Sequence, residues 1–379
     1  MKNIVIAGYC RSPFTPAQKG SLARIRPDDL LAQVVKCLVN KSNVNPDDIE
    51  DLIVGCAFPE GEQGLNIARL AVFLAGLPDS VAGMTLNRFC GSSMQAIHIA
   101  AGAIQMNAGE VFICAGVESM SRIPMGGYNN MPNPALYETF PQAYISMGDT
   151  AENLAKKYHI DRIPQENFAL ESQKKAYAAQ QQGRFDEEII PISSKSGLID
   201  KDGCLRPDST PEGLAGLTPA FQVTGTVTAG TSSPLTDGAA AVLVCSEDYA
   251  NAHKLTKLAR IKSFAVSGCA PEIMGIGPVR ATQKALSRAG LTLADIDIVE
   301  LNEAFSAQSL AVLKELPIPA DKLNLDGGAI ALGHPLGATG ARITGKAASL
   351  LQRENKRYAL VTQCIGGGQG IATILEAIQ

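Results

Sequence analysis

The sequence predicts an alternating α/β protein made of two related halves, the first interrupted by an insertion. Three observations carry this reading. The segment Asp48-Ile49-Glu50-Asp51-Leu52-Ile53-Val54-Gly55 is echoed by Asp295-Ile296-Asp297-Ile298-Val299-Glu300-Leu301-Asn302. Each is apolar enough for a buried strand and follows a helical stretch, residues 28–39 and 279–289. At the same spacing, the turn Cys90-Gly91-Ser92-Ser93 meets Gly337-Ala338-Thr339-Gly340. Both turns run into Ala-rich helices that lead to strands, residues 111–115 and 358–362. Closing strands at 239–245 and 370–375 complete each half. Strands alternating with helices favour helix-covered mixed or parallel sheets.

The elements divide as follows. Residues 1–118 plus 223–250 form the N-terminal half, beginning with a strand in Met1–Gly8. Residues 119–222 form the insertion, where the pattern turns to Pro, Gly, Asn and polar helices, with 153–182 as one long polar helical region. Residues 256–379 form the C-terminal half. Insertions of this length in compact enzymes are usually lids or binding surfaces.

Composition bounds the function. A chain of 379 residues suits two to three domains and buries a sizeable core without disulfides or metal. The net charge of −4 and the lack of a basic block argue against nucleic acid as a partner. No apolar run reaches the roughly 18 to 20 residues that span a bilayer. The first residues read as a strand rather than a leader, and the last three carry no peroxisomal signal. Nine scattered cysteines with no CxxC pair indicate neither a disulfide framework nor a metal site. A reducing cytoplasm is the expected location.

Four motifs stand out. In Asn87-Arg88-Phe89-Cys90-Gly91-Ser92-Ser93, a strand meets a tight turn and a helix. Cys90 falls at the helix N-terminus, where N–H groups and the dipole are expected to lower a thiol pKa. A buried structural cysteine is the competing reading, weakened by the small neighbours that let a substrate approach. In Gly327-Gly328-Ala329-Ile330-Ala331-Leu332-Gly333-His334-Pro335-Leu336-Gly337, a single His sits in a Gly-bounded loop that a ligand could reach. Core packing is its alternative. A thiol nucleophile needs a base, and His is suited to that near neutral pH. Of the other His, His98 reads as core and His159 and His253 as surface. Cys364-Ile365-Gly366-Gly367-Gly368-Gln369-Gly370 follows a strand. Alone it is a phosphate cradle or a plain turn, with a cysteine able to move protons on carbon. Asn302-Glu303-Ala304-Phe305 ends a strand and reads equally as a helix cap.

Together these motifs closely resemble the thiolase family, from Arg11-Ser12-Pro13-Phe14 to the last strand. The resemblance implies duplicated halves stacked as αβαβα layers with an inserted loop domain. It makes Cys90 the acyl-accepting nucleophile, His334 its base and Cys364 the second acid/base. Asn302, through a water, would share an oxyanion hole with His334. The N–H groups of Cys90 and Gly366 would form the other. Cleaving a 3-ketoacyl thioester would begin with attack by Cys90 on the ketone, releasing an acetyl-CoA enolate that Cys364 protonates. CoA would then take the acyl group, giving ping-pong kinetics. Ser233, Met147, Phe221 and Met274 match positions along the pantetheine channel, and Arg206 an adenine contact. CoA is the implied co-substrate, with no permanently bound cofactor.

Within the family, Ser146 replaces the His that often precedes Met-Gly in acetoacetyl-CoA thiolases. Gly230-Thr231-Ser232-Ser233 and Gly366-Gly367-Gly368-Gln369 look more like degradative 3-ketoacyl-CoA thiolases of fatty-acid β-oxidation. Acetoacetyl-CoA thiolase (acetyl-CoA C-acetyltransferase) is the alternative. A non-catalytic thiolase-like protein that binds acyl-CoA or lipid is a second, disfavoured because no catalytic position is lost. Ketoacyl synthases use Cys with two His, and the second-His position falls on Cys364 or Asn302. The resemblance implies a homodimer or dimer of dimers and admits a multienzyme β-oxidation partner, for which the sequence shows no docking surface.

Overall fold

Residues 2–378 are described by a computed structural model; Met1, which opens the N-terminal half, and Gln379, which closes the C-terminal half, lie outside them. The first half runs β1 (Ile4–Arg11), β2 (Thr15–Pro16), α1 (Pro27–Ser42), β3 (Asp51–Gly55), α2 (Ile67–Ala75), β4 (Ala82–Leu86), α3 (Ser92–Gln105) and β5 (Val111–Ser119). An excursion follows, with α4 (Pro134–Thr139), α5 (Met147–Lys157), α6 (Arg162–Gln181), the hairpin strands β6 (Ile192–Ser194) and β7 (Gly197–Ile199), and α7 (Pro211–Ala215). The chain returns with β8 (Thr236–Ser246) and α8 (Glu247–Ala252). It then builds β9 (Ala259–Gly268), α9 (Gly277–Ala289), β10 (Ile298–Leu301), α10 (Ser306–Glu315), α11 (Ala329–Leu332), α12 (Leu336–Arg353), β11 (Tyr358–Ile365) and β12 (Gln369–Glu376).

The strand order is β10-β11-β12-β9-β1-β8-β5-β3-β4. It contains the same pattern twice. From β1 outward, two antiparallel neighbours (β8, β5) are followed by parallel β3 and β4. From β9 outward, antiparallel β12 and β11 are followed by parallel β10. In place of a counterpart to β4, Leu323 makes a single parallel bridge to Val299. The two patterns join through only two residue pairs, Val5 with Arg260 and Ile6 with Ala259.

Burial explains the layering. β5 and β8 are buried along their whole length, as apolar strands covered on both faces must be. α1 and α2 cover one face of the first set of strands, and α9 covers the outer face of the second. α3 and α12 lie side by side between the sets, and α12 touches strands of both. The order is therefore α, β, α, β, α. α12 fits because its Gly, Ala and Thr residues let backbones approach. The Ala341 N–H donates to Ser93 Oγ at 2.8 Å, in the first turn of α3. A buried ion network fastens the excursion to this core. Arg11 bonds Glu188 at 2.8 Å and Asp202 at 2.7 Å, and Lys346 bonds Glu188 at 3.0 Å and Asp326 at 2.7 Å.

One expected element is different. Residues 153–182 are not one helical region but α5 and α6, broken at Tyr158–Asp161 with His159 left-handed at φ +48°. Pro164 explains the restart, because proline is tolerated only in a first helical turn, and α6 begins at Arg162. Ile160 is buried in the gap. Among the described residues no helix is long and apolar enough to cross a membrane.

Candidate active site

The Cys90 turn is clamped from every side. After β4, Asn87 Oδ1 accepts the Phe89 N–H at 2.7 Å, and Asn87 Nδ2 donates to the Ala57 carbonyl at 2.9 Å. Ser92 Oγ donates to the Phe89 carbonyl at 2.6 Å and accepts the Arg88 N–H at 2.9 Å. Phe89 is forced to φ +42°, a strained setting for an aromatic residue and one that clusters at functional sites. Gln363 Nε2 holds the Cys90 carbonyl at 2.5 Å. Cys90 thus lies in a tight 3₁₀ turn, Phe89–Gly91, immediately before α3.

The thiol does not behave as the helix terminus alone suggests. Burial pushes Cys90 up to about 11, with the Glu118 carboxylate adding to the rise. The N–H groups of Gly366 and of Cys90 itself pull the other way and lose. Desolvating the thiolate costs more than two backbone dipoles return. The expected depressed thiol is therefore corrected: Cys90 rests protonated and needs a base. Burial holds the Cys364 thiol, 1 % exposed in β11, well above its ordinary value, and the nearby Cys90 adds to the rise.

His334 and Asn302 form the second pair. Gly333, at φ +98°, turns the chain between α11 and α12 and presents His334 inward. The Thr236 hydroxyl accepts the His334 N–H at 3.0 Å. Asn302 Nδ2 lies 3.3 Å from His334 Nε2, and Thr339 Oγ1 lies 2.6 Å from Nδ1. With an amide N–H aimed at Nε2, that nitrogen is the acceptor and Nδ1 carries the hydrogen to Thr339. Burial, aided by Arg342, drops His334 to about 3, so the imidazole is neutral. Asn302 is not a helix cap. Among the described residues its Oδ1 is buried without a partner, and its N–H donates to the Thr362 carbonyl at 3.0 Å, two residues before Cys364. Glu303 backs the loop by accepting from Ser172, Asn324 and the Ile330 N–H.

Cys90, Cys364 and Gly366 thus converge, as do His334 and Asn302, and the α3–α12 and β10–β11 contacts bring the two groups to one end of the middle layer. Among the described residues Cys90 and His334 share no direct hydrogen bond. Met147, half-buried, and Met274, at 2 % exposure, pack with Cys364 in one apolar cluster, together with Ala304 and Phe305. Phe221 meets Phe305 edge-on at 5.8 Å. The Ser233 N–H donates to the Ala304 carbonyl at 3.0 Å. Arg206 is exposed, and among the described residues its guanidinium has no carboxylate partner. Ser146 caps α5 by accepting the Asp149 N–H at 3.2 Å. Among the described residues no group of three His, Cys, Asp or Glu could hold a metal ion.

The other His behave as read. His98 is buried against Phe264 and bonds Thr373 at 2.7 Å, while His159 and His253 are exposed. Sequence reasoning missed Thr236, Thr339, Gln63 and Glu118. Thr339 could have been found from its place one turn into the helix after His334, and Glu118 as an acid ending a wholly apolar strand.

Comparison with known proteins agrees with this geometry. Residues 4–248 match the family model for the thiolase N-terminal domain, and residues 255–377 match that for the thiolase C-terminal domain. A 3-ketoacyl-CoA thiolase of Bacillus subtilis (strain 168) is 46 % identical over 99 % of this chain and 100 % of its own. The crystal structure of human mitochondrial 3-ketoacyl-CoA thiolase in complex with CoA aligns at TM-score 0.92 and 39 % identity, covering 100 % of this chain and 98 % of that one. A Bacillus anthracis acetyl-CoA acetyltransferase aligns at TM-score 0.92 and 40 % identity, over 100 % and 99 %.

Proposed function

The chain belongs to the thiolase family, and from that premise we propose that it cleaves 3-ketoacyl-CoA with CoA, through an acyl group carried on Cys90, to acetyl-CoA and a shortened acyl-CoA. It is an acyltransferase, and CoA is its co-substrate. The carrying observation is the neutral Cys90 thiol beside Cys364 and the Gly366 N–H, at the same end of the fold as a neutral His334 held by Asn302.

His334 takes the Cys90 proton as sulfur attacks the ketone. The N–H groups of Cys90 and Gly366 receive the oxyanion where charge develops. The C2–C3 bond breaks, and the enolate oxygen of the departing acetyl-CoA is held by His334 and by Asn302 through a water. Cys364 protonates its carbon. In the second half, Cys364 takes the thiol proton of CoA, the CoA sulfur bonds the acyl carbon as the bond to Cys90 breaks, and His334 returns its proton to the Cys90 thiolate. Met147, Met274, Phe221 and Ser233 line the pantetheine path to the sulfurs, and Arg206 offers a cation toward the nucleotide end. In the cell the reaction serves fatty-acid β-oxidation in the cytoplasm, where nine free thiols suit a reducing compartment. The working unit is a homodimer or dimer of dimers, and a multienzyme β-oxidation partner fits the same role.

The test is a direct assay with CoA, following loss of ketoacyl absorbance for acetoacetyl-CoA and for longer 3-ketoacyl-CoA. The longer substrates are expected to turn over faster. Activity confined to acetoacetyl-CoA would assign the chain to the acetyltransferase subtype.

A further inference from the structure

The nucleophile comes from one half and its base from the other, so the gap between the Cys90 turn and the His334 loop must be fixed by something common to both. Glu118, near the end of β5, sits at that seam and is 1 % exposed. Its carboxylate accepts the N–H groups of Ala57 at 2.8 Å, Phe58 at 3.3 Å and Gly337 at 2.9 Å, and Gln63 Nε2 at 2.8 Å. The Cys56 thiol is 3.7 Å away. Gln63, itself completely buried, is held in turn by the Phe58 carbonyl at 2.8 Å and the Ser119 N–H at 2.6 Å.

These partners reach both catalytic elements. Ala57 bonds the Asn87 side chain, which shapes the Cys90 turn. Gly337 lies three residues after His334 and opens α12. Every contact made to Glu118 is a neutral donor, and among the described residues no basic side chain is paired with it. Burial raises the Glu118 carboxyl, and these N–H donors oppose the rise.

We infer that Glu118 is a positioning residue for the thiolase reaction, locking the His334 loop to the Cys90 turn through the N–H groups of Gly337 and Ala57. The inference rests on Cys90 as nucleophile and His334 as base.

Glu118→Gln and Glu118→Asp in the full chain test this, read by steady-state thiolysis under conditions where circular dichroism shows each variant folded. Both variants loosen the link between the Gly337 and Ala57 N–H groups, so kcat should fall about 10- to 100-fold, as for a misplaced catalytic group, with KM little changed. An unchanged kcat in a folded variant, or a loss that falls on KM alone, overturns the inference. Should Glu118→Gln fail to fold, Glu118→Asp decides by the same split. Trapping with acyl-CoA in the wild type separates the two levels. A label on Cys90 with an unchanged Glu118→Asp kcat removes only the role of Glu118, whereas a label elsewhere removes the parent reading as well.

Discussion

Cys90 and His334 rest as a neutral pair, with the thiol near 11 and the imidazole near 3. An ion pair preformed before substrate arrives would need both groups to ionise against their burial. One consequence is testable on the other cysteines. Cys37, half-buried on α1, is pulled down to about 6 by a hydrogen bond from Cys10 and by nearby Lys41. Without substrate at pH 7, iodoacetamide should therefore modify Cys37 faster than Cys90. Peptide mapping that finds Cys90 modified first would refute the neutral resting state. The two active-site cysteines separate by step. Cys364→Ala should keep acylation by a simple acyl-CoA partly intact and lower thiolysis of 3-ketoacyl-CoA by about 10²–10⁴-fold, the usual contribution of a general acid–base group. Wild-type thiolysis in that variant would end the two-cysteine mechanism.

At the level of elements, the central helix α12 reaches the strand ends because three backbones meet there without side chains. A Cβ on Gly116, in β5, would collide with the carbonyl oxygen of Gly337, and one on Gly337 would meet the Gly55 carbonyl at 2.7 Å. Gly116→Ala should destabilise the protein by roughly 1–3 kcal/mol, the range for overpacking. At about 1 °C per kcal/mol for a chain this long, thermal unfolding would register a shift of about 1–3 °C. Because the displaced element carries His334, kcat should fall in the same variant at temperatures where it is fully folded. A loss of stability with unchanged kcat would mean that the loop adjusts independently of α12.

Over the whole molecule, excursion and core are held together by charges out of water. Arg11 is completely buried between Glu188 and Asp202. Removing one member strands the others, so Arg11→Met should cost about 3–5 kcal/mol, measured by denaturant unfolding. Two acids in this network titrate in opposite senses. Burial raises Glu300 to about 7, although Arg342 and Lys346 oppose it. The folded chain then binds more protons than the unfolded one between about 4.5 and 7, so this group lowers stability as pH rises through that window. Asp326 is held at about 2 by Arg353 and Lys346 against its burial. Its contribution is present above its unfolded value near 3.9 and is lost as pH falls toward 2. Glu300→Gln should flatten the stability profile between about pH 4.5 and 7, and an unaltered slope would show that Glu300 is not the group responsible.

Periodicity and local chemistry could be read from the residues alone. The repeat was legible because apolar strands and Ala-rich helices recur in one order, and the four motifs because turns of Gly and Ser beside Cys, His and Asn have few purely structural uses. Pro164 was also legible, yet the helix break at His159 was missed because polar helical composition looks continuous across it. Other matters depended on tertiary structure. A helix N-terminus suggests an acidic thiol at Cys90, but burial, which is set by residues far along the chain, reverses the sign. Nothing local to β5 tells Glu118 that Gly337 will arrive beside it, or tells His334 that Asn302 and Thr339 will fix its tautomer. Desolvation and hydrogen bonding act over a few ångströms between segments hundreds of residues apart, and only packing brings those segments together.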